Sequence, residues 1–139
     1  MSAYDLEDAL NYIITQVKTL SGIRNASLAP ENLAVFPFVV VYPFAGTLET
    51  VTPETMKGLH TIAVEFHLAR RDLPRDVAAG LPYVELFGKL MLGDPTLGAR
   101  VETIVGALSY DFMSFTWGDG TVTLGFRFKI PVKIETSLS

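Results

Sequence analysis

From Thr121 to Glu135 the chain alternates without a fault. Val122, Leu124, Phe126, Phe128, Ile130, Val132 and Ile134 fall on even positions, and Thr121, Thr123, Gly125, Arg127, Lys129, Pro131, Lys133 and Glu135 on odd ones. Successive strand residues point to opposite sides, so the pattern predicts one long strand with a single dry face. Pro131 has no N–H to give a ladder, which predicts that this end is unpaired on one side, as on an edge or beyond the ladder. Leu59 to Ala69 predicts a second long strand, with His60, Ile62, Val64, Phe66 and Leu68 on one face and Thr61, Ala63, Glu65 and His67 on the other. Phe36 to Tyr42 is almost wholly apolar, the signature of a short strand covered on both sides, and Pro43 is expected to end it. Leu108, Tyr110 and Phe112 alternate, after which the phase slips to Met113, Phe115 and Trp117, as one extra residue in a β-bulge would produce. Gly118-Asp119-Gly120 then reads as a tight hairpin connection.

Two stretches carry helical spacing instead. Leu6, Leu10, Ile13, Val17 and Leu20 recur at steps of four and three, predicting an amphipathic helix over residues 5–20. Ser2 or Asp5 would cap it, and Gly22 would stop it. Val77, Leu81, Val84, Phe87 and Met91 form the second stripe, with Asp72 as N-cap and a kink or break expected near Gly80 and Pro82. Between the first strands, Phe44 to Gly58 alternates only weakly, and Thr52 to Gly58 is turn material. A loop of this length in a compact domain is usually functional or disordered. The segment is therefore expected to protrude as a loop or β-hairpin arm. Its partner-facing candidates are Thr47, Leu48, Glu49, Thr50, Val51, Glu54, Met56 and Lys57.

The resulting order predicts an α+β domain spanning 1–139. It has a roughly four-stranded, largely antiparallel sheet, with two helices packed on one face. A chain of 139 residues buries roughly two-thirds of its unfolded surface and needs no staple. It contains no cysteine, so disulfides and thiolate metal sites are excluded, and the net charge of −4 gives no sign of a grip on nucleic acid. The apolar fraction of 49% and mean hydropathy of +0.33 are high for so small a soluble domain. The longest apolar run, Leu33 to Gly46, is 14 residues and holds two prolines. That is too short for a membrane span of about 20 residues. The acidic start, Met1 to Asp8, also lacks the basic opening of a signal peptide. The surplus apolar content is accordingly assigned to surfaces that meet partners.

Candidate chemistry is sparse. His60 and His67 point to opposite faces of one strand and cannot share a metal. Glu65 and His67 share a face, roughly 6.8 Å apart along the strand, but no nucleophile or further ligand is nominated beside them. They read as part of a polar outer face. Phe115 and Trp117 read as core, and no phosphate-binding loop occurs. Arg70, Arg71 and Arg75 cluster with Asp72 and Asp76. These five read as a self-paired helix start or, in a symmetric assembly, as an inter-subunit ion-pair set. No catalytic residue, cofactor or metal is expected.

Four stretches, Tyr4 to Leu10, Gly58 to Asp76, Asp94 to Gly98 and Thr123 to Ile134, together resemble the tail terminators of long-tailed bacteriophages, the minor tail protein U-like group of tail completion proteins. The resemblance spans most of the chain, including its element order, and its motifs are structural. It implies a non-enzymatic virion protein, assembled in the host cytoplasm, whose six-membered ring caps the head-proximal end of the tail tube. Such a ring ends tube polymerisation and offers a docking face to the head connector. Its implied partners are further copies of itself, the tail tube protein and the head–tail connector. DNA would pass through the lumen without specific binding. Two other readings stay open: a head-to-tail neck adaptor, and a small-ligand-binding or enzymatic domain.

Overall fold

A computed structural model describes residues 5–23, 25–28, 36–70 and 78–138. Among the described residues the main elements follow one another as α1 (Leu6–Val17), β1 (Asn25–Ser27), β2 (Phe38–Thr52), β3 (Thr55–Arg70), α2 (Pro82–Leu92), β4 (Thr103–Ile104), β5 (Ser109–Thr116) and β6 (Val122–Ser137). The expected four-stranded layer is not the fold. The chain is mostly strand, in a curled six-stranded sheet of order β1-β2-β3-β6-β4, with β5 also paired to β6. The sheet is mixed, because β1 runs parallel to β2 while the other pairs are antiparallel. The difference arises from two strands too short to leave a periodic signal, β1 and β4, and from strands that run much further than their apolar stretches.

Pro43 does not end β2. The strand absorbs it with a register shift between Pro43 and Ala45, which leaves Phe44 as the extra residue, and continues to Thr52. Pro131 does not mark an edge either, because β6 is internal, with β3 on one side and β4 and β5 on the other. Its neighbours explain how a proline fits there. The β5 ladder reaches Lys129 and the β4 ladder begins at Val132, so the missing N–H falls at the junction, where the Pro131 carbonyl accepts from Val105 N (2.8 Å). Nor does β5 contain the expected bulge, since Ser109↔Lys129 to Thr116↔Val122 is one unbroken register. The apparent slip in phase reflects aromatic side chains on both faces of β5. Tyr110 and Phe112 share the face of Phe128 and Phe126, whereas Phe115 lies opposite Thr123.

The main core lies between the sheet and the helices. Asp5 caps α1 by accepting from Asp8 N (2.7 Å), and the helix buries Ala9, Leu10, Ile13 and Val17. The start expected for the second helix, including Asp72 and Val77, lies outside the described residues. Residues 78–80 are helical, Leu81 interrupts them, and α2 begins at Pro82, where a missing N–H costs nothing. Phe87 and Met91 of α2 are fully buried, and Phe87 sits edge-on to Phe66 (5.3 Å between centroids) and against Phe128 (4.6 Å). The link after α2 is tied to α1 by Asp94, which accepts from the Tyr12 hydroxyl and from Gly98 N. It carries Leu97 and Val101 over the distal end of the same core.

One crossing sets the register of the whole. Leu68 is extra in β3, between His67↔Gly125 and Ala69↔Leu124, and a Cβ on Gly125 would stand 1.7 Å from the Phe66 carbonyl oxygen. Backbone cannot yield as a side-chain tip can. We therefore expect Gly125→Ala to lower the stability by about 3 kcal/mol or more. Gly118→Ala, at a position with open space around it, should stay within about 0.5 kcal/mol. Thermal melts of the two variants side by side check this.

Candidate functional site

The sheet face opposite the helices is not the polar outer face that alternation suggested. His67 and Thr123 are wholly inaccessible there and Glu65 is buried. They lie side by side because β2, β3, β6 and β5 deliver matching positions: Phe38↔His67 and Val40↔Glu65 on one side, Glu65↔Arg127, His67↔Gly125 and Phe115↔Thr123 on the other. The His67 ring stacks on Phe38 (4.7 Å, 10°) and is enclosed by Phe115 (4.4 Å) and Trp117 (5.1 Å). Opposite His67 stands Gly125, where a Cβ would meet the Phe66 carbonyl and the His67 Cα. Phe36 to Tyr42 thus finds cover on both faces within the fold, Val39 and Val41 toward the helices and Phe38 and Val40 against this second cluster.

A chain of polar contacts crosses the strands here. Trp117 Nε1–H donates to Thr123 Oγ1 (3.1 Å), and Thr123 lies 2.8 Å from His67 Nδ1. His67 Nε2 then meets Glu65 Oε1 at 3.0 Å, and the other carboxylate oxygen accepts from Arg127 Nε (3.2 Å) and from the Tyr42 hydroxyl. Burial alone would raise the Glu65 pKa. The hydrogen bonds from His67 and Tyr42 and the Arg127 charge outweigh it and hold the carboxyl below its ordinary range. Burial, and then the bond to Glu65, push Tyr42 up to about 12.

Hydroxyl, imidazole and carboxylate in line have the connectivity of a nucleophile, base and orienting acid. Here the hydroxyl is wholly buried and accepts the indole hydrogen. The arrangement ties β2, β3 and β6 together, with Trp117 joining from just beyond β5. Sequence reasoning placed Glu65 and His67 on one face and missed Tyr42, Thr123 and Arg127, whose convergence is a matter of cross-strand register. Among the described residues no group of three or more His, Asp or Glu side chains could hold a metal ion. No helix among them is long and apolar enough to cross a membrane.

The other candidates sit at the far end of the sheet. Twelve consecutive residues, Pro43 to Glu54, are exposed. Segment 44–58 is thus no free loop. It is the outer part of the β2–β3 hairpin, turning between Thr52 and Thr55, with β6 alongside β3 as far as Thr55↔Ser137. Thr47, Leu48, Glu49, Thr50, Val51 and Glu54 are exposed on it, while Met56 and Lys57 are partly covered. Glu49 and Lys57 face each other across the ladder and bond at 2.7 Å. That contact lowers the Glu49 pKa and raises that of Lys57. His60 lies farther from the turn than these, its ring over Gly58 and beside Gly46, and partial burial lowers its pKa. Arg70 ends β3; Arg71, Asp72, Arg75 and Asp76 lie outside the described residues. Exposed apolar side chains that the sequence reading did not select stand on β5, namely Tyr110 and Phe112, and at the β2 bulge, Phe44. Phe44 is flanked by Lys129 (4.5 Å) and Arg127 (5.6 Å). Compared with known protein families and with curated proteins, the chain finds no match.

Because the folded-state pKa of Glu65 is depressed, its contribution is present above the unfolded value of about 4.3 and is lost as pH falls through the folded value. Urea midpoints measured from neutral pH downward should fall in that acidic window. Glu65→Gln should flatten this part of the profile. Glu65→Ala should cost about 3 kcal/mol at neutral pH, since it leaves His67 and Arg127 without their acceptor.

Proposed function

We propose that the chain is a structural phage tail protein: a ring of six copies that caps the head-proximal end of the tail tube, stops its growth and receives the head connector. The observation that carries this reading is the hairpin arm. Its twelve exposed residues, Pro43 to Glu54, run from the outer part of β2 into the turn, with Leu48 and Val51 more than half exposed, which is apolar surface of the kind that marks an interface. The resemblance of Gly58 to Asp76 and Thr123 to Ile134 to tail terminators supplies the rest. In this reading the arm meets the tube or connector and Arg70, Arg71, Asp72, Arg75 and Asp76 lie near a neighbouring copy. The protein carries out no reaction, needs no cofactor, and lets DNA pass without binding it specifically. Its place is the head-proximal end of the tail in the virion.

Deleting the gene from the phage or prophage that carries it, and imaging the lysate, tests the reading. Overlong or ragged tails apart from filled heads are expected. Tails of normal length left unattached would assign the protein to the neck as an adaptor, and intact infectious particles would remove it from the tail altogether. In complementation, replacing Leu48–Met56 by an Asn-Gly turn should leave the fold intact by circular dichroism and abolish incorporation into particles; retained incorporation would sink the role of the arm.

A further inference from the structure

Neither lateral edge of the sheet is closed among the described residues. Trp117 N donates to Thr121 O (2.8 Å), which continues the register Ser109↔Lys129 to Thr116↔Val122. In an antiparallel ladder the hydrogen-bonded pairs alternate. The odd residues of β5 therefore exchange bonds with β6, and Tyr110, Phe112, Ser114 and Thr116 turn their N–H and C=O groups outward. No described segment meets them. The strand has eight residues, with no Lys, no Pro and no bulge, so it lacks the usual protections of an edge. On the opposite side of the sheet, β1 covers β2 only from Phe38 to Val40, and the outer edge from Val41 to Thr52 carries no described strand.

We propose that the outer edge of β5 joins the free edge of β2 in a second copy of this chain, so that one sheet runs on into the next. This deepens the ring reading and rests on it for closure of the assembly. The side chains fit such a joint. Tyr110 and Phe112, 53% and 52% exposed, stand on the helix-side face of the sheet. On that same face the outer part of β2 presents Gly46, Leu48 and Thr50, paired with His60, Gly58 and Met56. A continuous sheet keeps faces together, which sets two aromatic rings beside two small residues and Leu48, itself 62% exposed. Charge does not oppose it. Asp111 is the one charged residue of β5, and the one charged residue of the β2 edge, Glu49, is already bonded to Lys57. A symmetrical β5-to-β5 joint would crowd four aromatic rings on one face, leave the β2 edge open and stop at two copies. Joining different edges uses both and repeats, as a ring requires.

The chain has no cysteine, so introduced ones report cleanly. Ser114→Cys and Thr50→Cys, or Leu48→Cys in its place, are made singly and in pairs, and oxidised at the highest soluble concentration. A disulfide between the two single variants when mixed, and a ladder of covalent oligomers from each double variant, are the expected results. Disulfide dimers of Ser114→Cys alone would overturn the proposal in favour of a β5-to-β5 joint, and monomers throughout would overturn it outright. Ser114→Pro deletes only an outward N–H and should keep the far-ultraviolet spectrum while shifting sedimentation to the monomer. Unchanged sedimentation of that variant would also overturn the joint. The two readings fail separately. Cross-linking with no particle defect on gene deletion would keep the joint and remove the tail role. A tail defect without cross-linking would do the reverse.

Discussion

Where β3 carries the extra Leu68, β6 answers with Gly125, and the two backbones come closer there than any side chain permits. That approach fixes the pairing of β3 with β6 from Thr55↔Ser137 to Arg70↔Thr123. Everything else inherits its position from this ladder. Ile62, Val64 and Phe66 line up with Ile130, Phe128 and Phe126 to make the floor on which α2 rests, while Glu65 and His67 are set against Arg127 and Gly125 on the other side. A one-residue slip would exchange the two sets, placing a carboxylate and an imidazole beneath the helices.

The sheet therefore has two cores of different character. One is apolar and covered by helices. The other is a small aromatic box of Phe38, Phe115 and Trp117 around a polar chain. A buried ionic group of this type adds little net stability compared with an apolar replacement, but it tolerates no partial removal. In this fold it also specifies register, because Tyr42, Thr123 and Arg127 reach Glu65 and His67 from neighbouring strands in one alignment only. The outer half of the hairpin contributes to neither core, which leaves it free for contacts outside the chain.

The parts of the molecule legible in the sequence were those written in strict period. The long strands at Leu59 to Ala69 and Thr121 to Glu135, and the helix stripe at Leu6 to Val17, follow from apolar spacing alone. β1 and β4 were invisible because three and two residues establish no period. Pro43 misled because it reads as a stop when judged by its own backbone, whereas a bulge beside it absorbs the missing N–H; Pro131 lies beyond the β5 ladder, but at a junction with β4 and not on an edge. The shift to Met113 and Phe115 in β5 misread a strand with aromatics on both faces as a strand that had slipped. The buried polar chain was out of reach for a different reason. Glu65 and His67 alternate like any solvated pair, and only the strands beside them decide that no solvent is there.

The two strands of the hairpin obey opposite rules of substitution. Every residue of β3 from Ile62 to Ala69 is buried, so a change at any of the eight disturbs one core or the other. Its partner offers ten successive exposed positions, Pro43 to Thr52, where all that must persist is the ability to lie extended and pair. Over evolutionary time the outer stretch of β2 can drift, or be retuned toward a new partner, while β3 stands still beside it. A hairpin built in this way separates inheritance of the fold from inheritance of the contact, and lets one change without the other.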